Sequence, residues 1–329
     1  MRSSLPVRVL GVAVGAALLQ LLMITAFAWP SARLGPRDVP IVVTGPQASA
    51  VAERLEQERP GAFAVETRRD EAAARAALAD REAYGAIVTT PSGPRVLTAS
   101  AASPMVAQQL GALSEKLAPA RGAPAQERVV QDVVAADPDD PRGAGFGALA
   151  LPLIISGLAA AVLLTFAIRA VAWRAAGLVL FAVLGGFGVA AVAQSWLSLL
   201  PGSYLTLAGV LALAILAVAG TVAGLAAVFG RAGIGVGGLL LMFFGNPLSA
   251  ATSAPELLPQ PWGEVGQFLP PGAAVTLLRS TSFFDGAGSA RALAVLAAWA
   301  AAGLALLAVG ALRRRNEEHP VPERTPVLA

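Results

Sequence analysis

The chain has 329 residues, of which 56% are hydrophobic and only 14% charged, against roughly 25% charged in an average soluble domain. Its formal charge of +3 comes without a basic stripe interleaved with aromatics, which argues against nucleic acid as a partner. The absence of cysteine excludes disulfides, thiolate chemistry and sulfur-ligated zinc.

The first element is an uncharged run over residues 9–29, behind Arg2 and Arg8. At 1.5 Å per residue it can cross about 30 Å of hydrocarbon. It reads as an uncleaved anchor. The rival is a cleaved signal peptide with Ala26-Phe27-Ala28 as its small-x-small site, but the run exceeds the roughly 7–15 apolar residues of such a segment.

Residues 30–145 hold most of the charge and predict a small extracytoplasmic α/β domain. Strand-like runs at 39–44, 62–67, 83–90 and 95–100 alternate with helical stretches ending near Arg59, over 70–80 and over 103–117. Pro91-Ser92-Gly93-Pro94 marks a turn, Asp70 starts one helix, and Ser103 followed by Pro104 has the N-cap and first-position chemistry of another. The order βαβαββα implies a sandwich around a mixed sheet. The acids sit beside arginines on helical stretches, as on a solvated face, and residues 118–142 read as a tether.

Five more uncharged runs follow at 146–168, 175–194, 204–230, 232–248 and 292–312, giving about six spans and a polytopic α-helical membrane protein. With the N-terminus inside, Arg169, Arg174, Arg231 and Arg313-Arg314-Arg315 all fall on the cytoplasmic side, where arginine is enriched. Both termini are then cytoplasmic, residues 313–329 forming a tail. The pairs Gly11/Gly15, Gly220/Gly224 and Gly233/Gly237 have the spacing for close helix packing.

No ionisable residue lies inside these six runs, which disfavours an ion-coupled carrier and leaves an intramembrane enzyme without acid, His or Cys. Gln20, Gln194 and Asn246 are the strongest polar groups there, and interhelical hydrogen bonding accounts for them. His319 lies in a charged tail. Lys116, the only lysine, precedes Leu117 rather than the Ser or Thr of a P-loop, so any ATPase is a separate chain.

The segment from Asn246-Pro247 through Pro255-Glu256, Trp262, Gln267 and Pro270-Pro271 is too apolar and too proline-broken for an exposed loop. It predicts short re-entrant or surface-lying helices over 246–280. These residues, with weaker similarity over 83–102, and the order of first span, external domain and five further spans resemble the membrane subunits of ABC-2-type transporters, particularly the bacterial group related to the phage infection protein. The resemblance implies a permease half in a bacterial cytoplasmic membrane, paired with a second half as a homo- or heterodimer. It implies export of a lipophilic or lipid-linked molecule, driven by ATP on a cytoplasmic ATPase subunit, with no cofactor in this chain. Membrane lipids would be its other partners. Arg169, Trp173 and Arg174 would form the coupling segment, and Asn246, Pro247, Pro255, Glu256, Trp262, Gln267, Pro270 and Pro271 the substrate path. The competing function is a non-transporting envelope scaffold or receptor whose external domain binds another component.

Overall fold

The computed structural model describes residues 5–91, 93–117 and 130–318, with side chains described outside 114–117 and 314–318. Ser92 of the expected turn, the tether over 118–129 and His319 lie outside the described residues.

Helix α1 (Leu5–Ala32) leads into a domain built from β1 (Val39–Thr44), α2 (Ala48–Glu58), β2 (Phe63–Arg68), α3 (Glu71–Ala79), β3 (Gly85–Thr90), β4 (Gly93–Thr98), α4 (Pro104–Leu117) and β5 (Val130–Asp132). The sheet order is β2-β1-β3-β4-β5. β1 pairs parallel with β2 and β3, β3 pairs antiparallel with β4, and β4 parallel with β5, so the sheet is mixed as expected. The short β5 lies within the stretch read as a tether.

β1 is buried on both faces, as a central strand requires. Val39, Ile41 and Val43 pack with Leu55 of α2 and Val106 and Leu110 of α4, while Val42 packs with Ala74, Ala77 and Leu78 of α3. Local capping sets the helix starts: Ala73 N–H donates to Asp70 Oδ1 at 2.8 Å, and Val106 N–H to Ser103 Oγ at 3.3 Å.

The bundle comprises α5 (Ala144–Ala148), α6 (Ala150–Ala167), α7 (Val171–Ala190), α8 (Tyr204–Phe229), α9 (Arg231–Leu239), α10 (Trp262–Gln267), α11 (Pro270–Phe283) and α12 (Ala290–Glu318). Among the described residues five helices are long and apolar enough to cross a membrane: Leu5–Ala32, Ala144–Ala167, Val171–Trp196, Tyr204–Phe229 and Ala290–Arg313. The expected span over 232–248 is a shorter apolar helix, Arg231–Gly245. At 1.5 Å per residue it reaches roughly 22 Å, less than a bilayer core. Gly230, at φ 63°, turns the chain into it, and Pro247, with no N–H to donate, follows its end.

Helix α8 is the hub, touching α6, α7, α9, α11 and α12. In its most apolar stretch 72% of residues are buried, against 28% in α12 and none in α1. Small residues let the helices approach: a Cβ on Gly303 of α12 would stand 2.4 Å from the Gly220 carbonyl carbon. Gly220/Gly224 and Gly233/Gly237 therefore serve packing within this chain, while a Cβ on Gly11 or Gly15 would meet nothing within 4 Å.

Candidate functional site: the cleft beneath the sheet domain

The segment after Gly245 is ordered and largely buried. It rises through a turn at Ala250–Ser253 to Glu256 and Leu257, which meet the sheet domain, then descends through α10 and returns through α11. Gly35 N–H and Arg37 Nη1 each donate to Leu257 O at 3.0 Å. Ala254 and Leu257 complete one apolar face of the domain, and Phe283, Phe284 and Ala287 the other. Both faces of the sheet are thus continuous with the bundle.

Helices α10 and α11 pack together as a short hairpin. Trp299 Nε1, in the third turn of α12, donates to Phe268 O at 2.8 Å, so α12 holds the link between α10 and α11. Close packing requires glycine here, since a Cβ on Gly266 would fall 1.9 Å from Leu248 O.

Two buried arginines hold the architecture through backbone carbonyls. Arg279 of α11, 4% exposed, donates to Ala250 O at 3.3 Å, Ser253 O at 3.2 Å and Ala251 O at 2.7 Å. Its guanidinium lies 5.0 Å from the Phe146 ring centre. It satisfies carbonyls of a turn that no helix or strand pairs. At the opposite end, Arg174, 2% exposed, donates to Ile168 O at 2.9 Å and Thr165 O at 3.2 Å, closing the C-terminus of α6.

Arg81 joins the domain to the hairpin. Its N–H donates to Leu78 O at 3.2 Å and Glu82 N–H to Ala77 O at 2.8 Å, the paired bonds of a Schellman motif, with Arg81 in the left-handed position at φ 60°. Glycine is the usual residue there. Arginine is retained at a position where its guanidinium reaches Thr276 O at 3.0 Å and the Ser280 hydroxyl and lies 5.2 Å from the Phe284 ring centre. Burial lowers its pKa, partly offset by Tyr84 and Glu256. Tyr84 donates its hydroxyl to Glu256 Oε2 at 2.8 Å. Burial first, then the Glu256 charge, raise the phenol well above its ordinary range.

Between these ties lies a cavity of about 260 Å³ lined by Arg81, Tyr84, Glu256, Gln267, Arg279 and Arg291, among others. The expected residues Pro255, Glu256 and Gln267 line it, whereas Trp262 is not in the lining and packs edge-on to Trp29, ring centres 6.5 Å apart. Pro270 and Pro271 instead line a separate apolar void of about 30 Å³ in mid-bundle. Asn246 lies at the end of the short helix, its carbonyl accepting from Ser249 Oγ at 2.7 Å, and Pro247 follows it in the same turn. Arg81, Tyr84, Arg279 and Arg291 were not singled out in the sequence. A lone Arg279 directly after the largely apolar stretch 273–278 was the available signal.

The expected coupling loop is also narrower than its sequence suggested. Only Ile168, Arg169 and Ala170 are non-helical, and Trp173 and Arg174 belong to the first turn of α7. Arg169 is exposed and Trp173 is 72% exposed, whereas the inward Arg174 is committed to the carbonyls named above. Gln194, near the other end of α7, donates to Gly202 O at 2.8 Å.

Among the described residues no three His, Cys, Asp or Glu side chains gather in a way that could hold a metal. Compared with known proteins, the chain matches no family, no curated protein and no solved structure.

Proposed function

We propose that this chain is the membrane subunit of an ATP-driven exporter of a lipophilic or lipid-linked molecule. It is completed by a second permease half and powered by a separate ATPase at a bacterial cytoplasmic membrane, with both termini cytoplasmic. The observation that carries this reading is the meeting of half-length elements, Arg231–Gly245 and the α10–α11 hairpin, inside the bundle. Irregular backbone at membrane depth is tolerated where it is buried in protein or lines a cavity, and transporters place broken helices at their substrate sites. The mid-bundle void of about 30 Å³ is too small for a substrate, which supports a path formed with a second copy or half. Arg169, Arg231 and Arg313 fall at helix ends away from the sheet domain, in keeping with a cytoplasmic face there. Exposed Trp173 beside Arg169 suits an ATPase contact, with an aromatic anchor and a rim charge.

The test is co-purification in mild detergent, followed by Trp173→Ala. The proposal expects an ATPase in the complex, and a variant that inserts and folds but loses the ATPase or uncouples hydrolysis from export. Single cysteines, introduced into a chain that has none, should react with impermeant reagent in intact cells at Ser203 and not at Gly230. The second reading, a scaffold or receptor, is favoured by the docking of both sheet faces onto the bundle. A complex without ATPase, and an export activity unchanged by Trp173→Ala, would decide for it.

A further inference from the structure

The cleft under the sheet domain brings together three guanidiniums, of Arg81, Arg279 and Arg291, and two carboxylates, of Glu256 and Glu264. The ion pairs among the described residues all lie within the sheet domain, between Arg54 and Arg95. Opposite charges therefore face one cavity without touching across it. A ligand carrying both signs would complement both sets of charges at once. Arg81 and Arg279 are spent on backbone oxygens, the Ser280 hydroxyl and aromatic rings. Arg291 differs: its guanidinium sits 4.5 Å from the Phe268 ring centre, and among the described residues no protein oxygen accepts from it. Glu256 uses Oε2 for Tyr84, leaving Oε1 for a second donor. Gln267, also in the lining, holds a buried amide nitrogen without a protein partner.

The level of the cleft matters as much as its charge. Trp29 and Trp262 meet edge to face, Trp262 standing two residues before Glu264 of the lining, an aromatic pair of the sort that marks a membrane interface. Val265, Phe268 and Leu293, at 38%, 54% and 48% exposure, present apolar surface on α10 and the first turn of α12. A polar cavity thus adjoins an apolar surface, with Arg291 of its lining stacked on Phe268.

We propose that this cleft holds the headgroup of a zwitterionic phospholipid bearing a primary amine. Its phosphate accepts from Arg291 and its ammonium donates to Glu256 and Glu264, while its chains run over Phe268 and Leu293. A glycerol headgroup would leave both carboxylates without a cation, and a quaternary ammonium has no N–H to give them. The inference goes beyond the export reading and survives its failure, because lipid retention is read on this chain without any ATPase.

The test is native mass spectrometry of the full-length protein in detergent, titrated with phosphatidylethanolamine, phosphatidylcholine or phosphatidylglycerol of identical chains. One phosphatidylethanolamine should be retained about tenfold more tightly than either competitor, the scale of one charge-assisted hydrogen bond. Arg291→Gln should weaken that retention about tenfold. Glu264→Gln should erase the preference over phosphatidylglycerol. Both positions are exposed, and an unchanged melting temperature shows that neither variant acts through folding. Equal retention of all three lipids, a preference for phosphatidylglycerol, or retention indifferent to both substitutions overturns the proposal. So does displacement of the lipid by soluble glycerophosphoethanolamine at equal concentration, which would make the ligand a soluble headgroup.

Discussion

The Tyr84 hydroxyl donates to Glu256 Oε2 at 2.8 Å across 172 residues of sequence, tying the sheet domain to the segment that leads into the α10–α11 hairpin. Because the folded protein favours the neutral phenol, its pKa lies above the ordinary value of about 10. A raised folded-state pKa contributes stability that is complete below the unfolded pKa and is lost as pH rises through the folded one. The melting temperature should therefore hold between pH 7 and 9 and fall above about pH 10. Tyr84→Phe should remove that alkaline component and lower stability by about 1–3 kcal/mol at neutral pH, the scale of an unpaired buried partner. Thermal unfolding in detergent at several pH values checks both.

Arg81 sets a local cost against a long-range gain. Arg81→Gly relieves a left-handed residue worth about 1 kcal/mol, but it discards bonds from a charged donor worth about 1.5–3 kcal/mol each. The loss should win. Hydrogen exchange is expected to rise around Thr276 and Phe284, where the guanidinium makes its contacts, while the interior of β1 stays protected. Slower exchange in the variant would contradict the clamp.

Neighbouring residues at the start of α7 should behave oppositely. Arg174→Ala strips donors from the carbonyls of Thr165 and Ile168 and should destabilise by about 2–4 kcal/mol, the range of a broken buried network. Arg174→Lys should rescue only part of it, because an ammonium lacks the planar fork. Trp173→Ala, at an exposed site, should stay within about 0.5 kcal/mol of the parent. Thermal unfolding of the three variants separates a structural arginine from a surface aromatic.

Glycine substitutions should distinguish the packed from the open helix faces. At Gly303 an added Cβ meets the Gly220 backbone at 2.4 Å and Thr221 N at 2.7 Å, so Gly303→Ala should force α8 and α12 apart and cost about 1–3 kcal/mol. Gly11→Ala and Gly15→Ala meet nothing within this chain and should leave its melting temperature unchanged.

Sequence alone determined what depends on neighbours along the chain. The long apolar runs named all five long helices within four residues at each end, because helix length and side-chain polarity set what a bilayer admits. Asp70 and Ser103 marked helix starts because a cap bonds an N–H three residues away. The proline-broken stretch after Asn246 announced irregular backbone because proline has no N–H wherever it sits. The start of α7 was foreseen at Ala175 rather than Val171, since arginines at 169 and 174 looked like loop. Tertiary structure decided the rest. A guanidinium finds its acceptor among whatever carbonyls the fold leaves unpaired, and for Arg279 these lie 26 to 29 residues upstream. The cleft itself has no trace in local pattern, because Arg81, Glu256 and Arg291 become neighbours only when both faces of the sheet close over the hairpin.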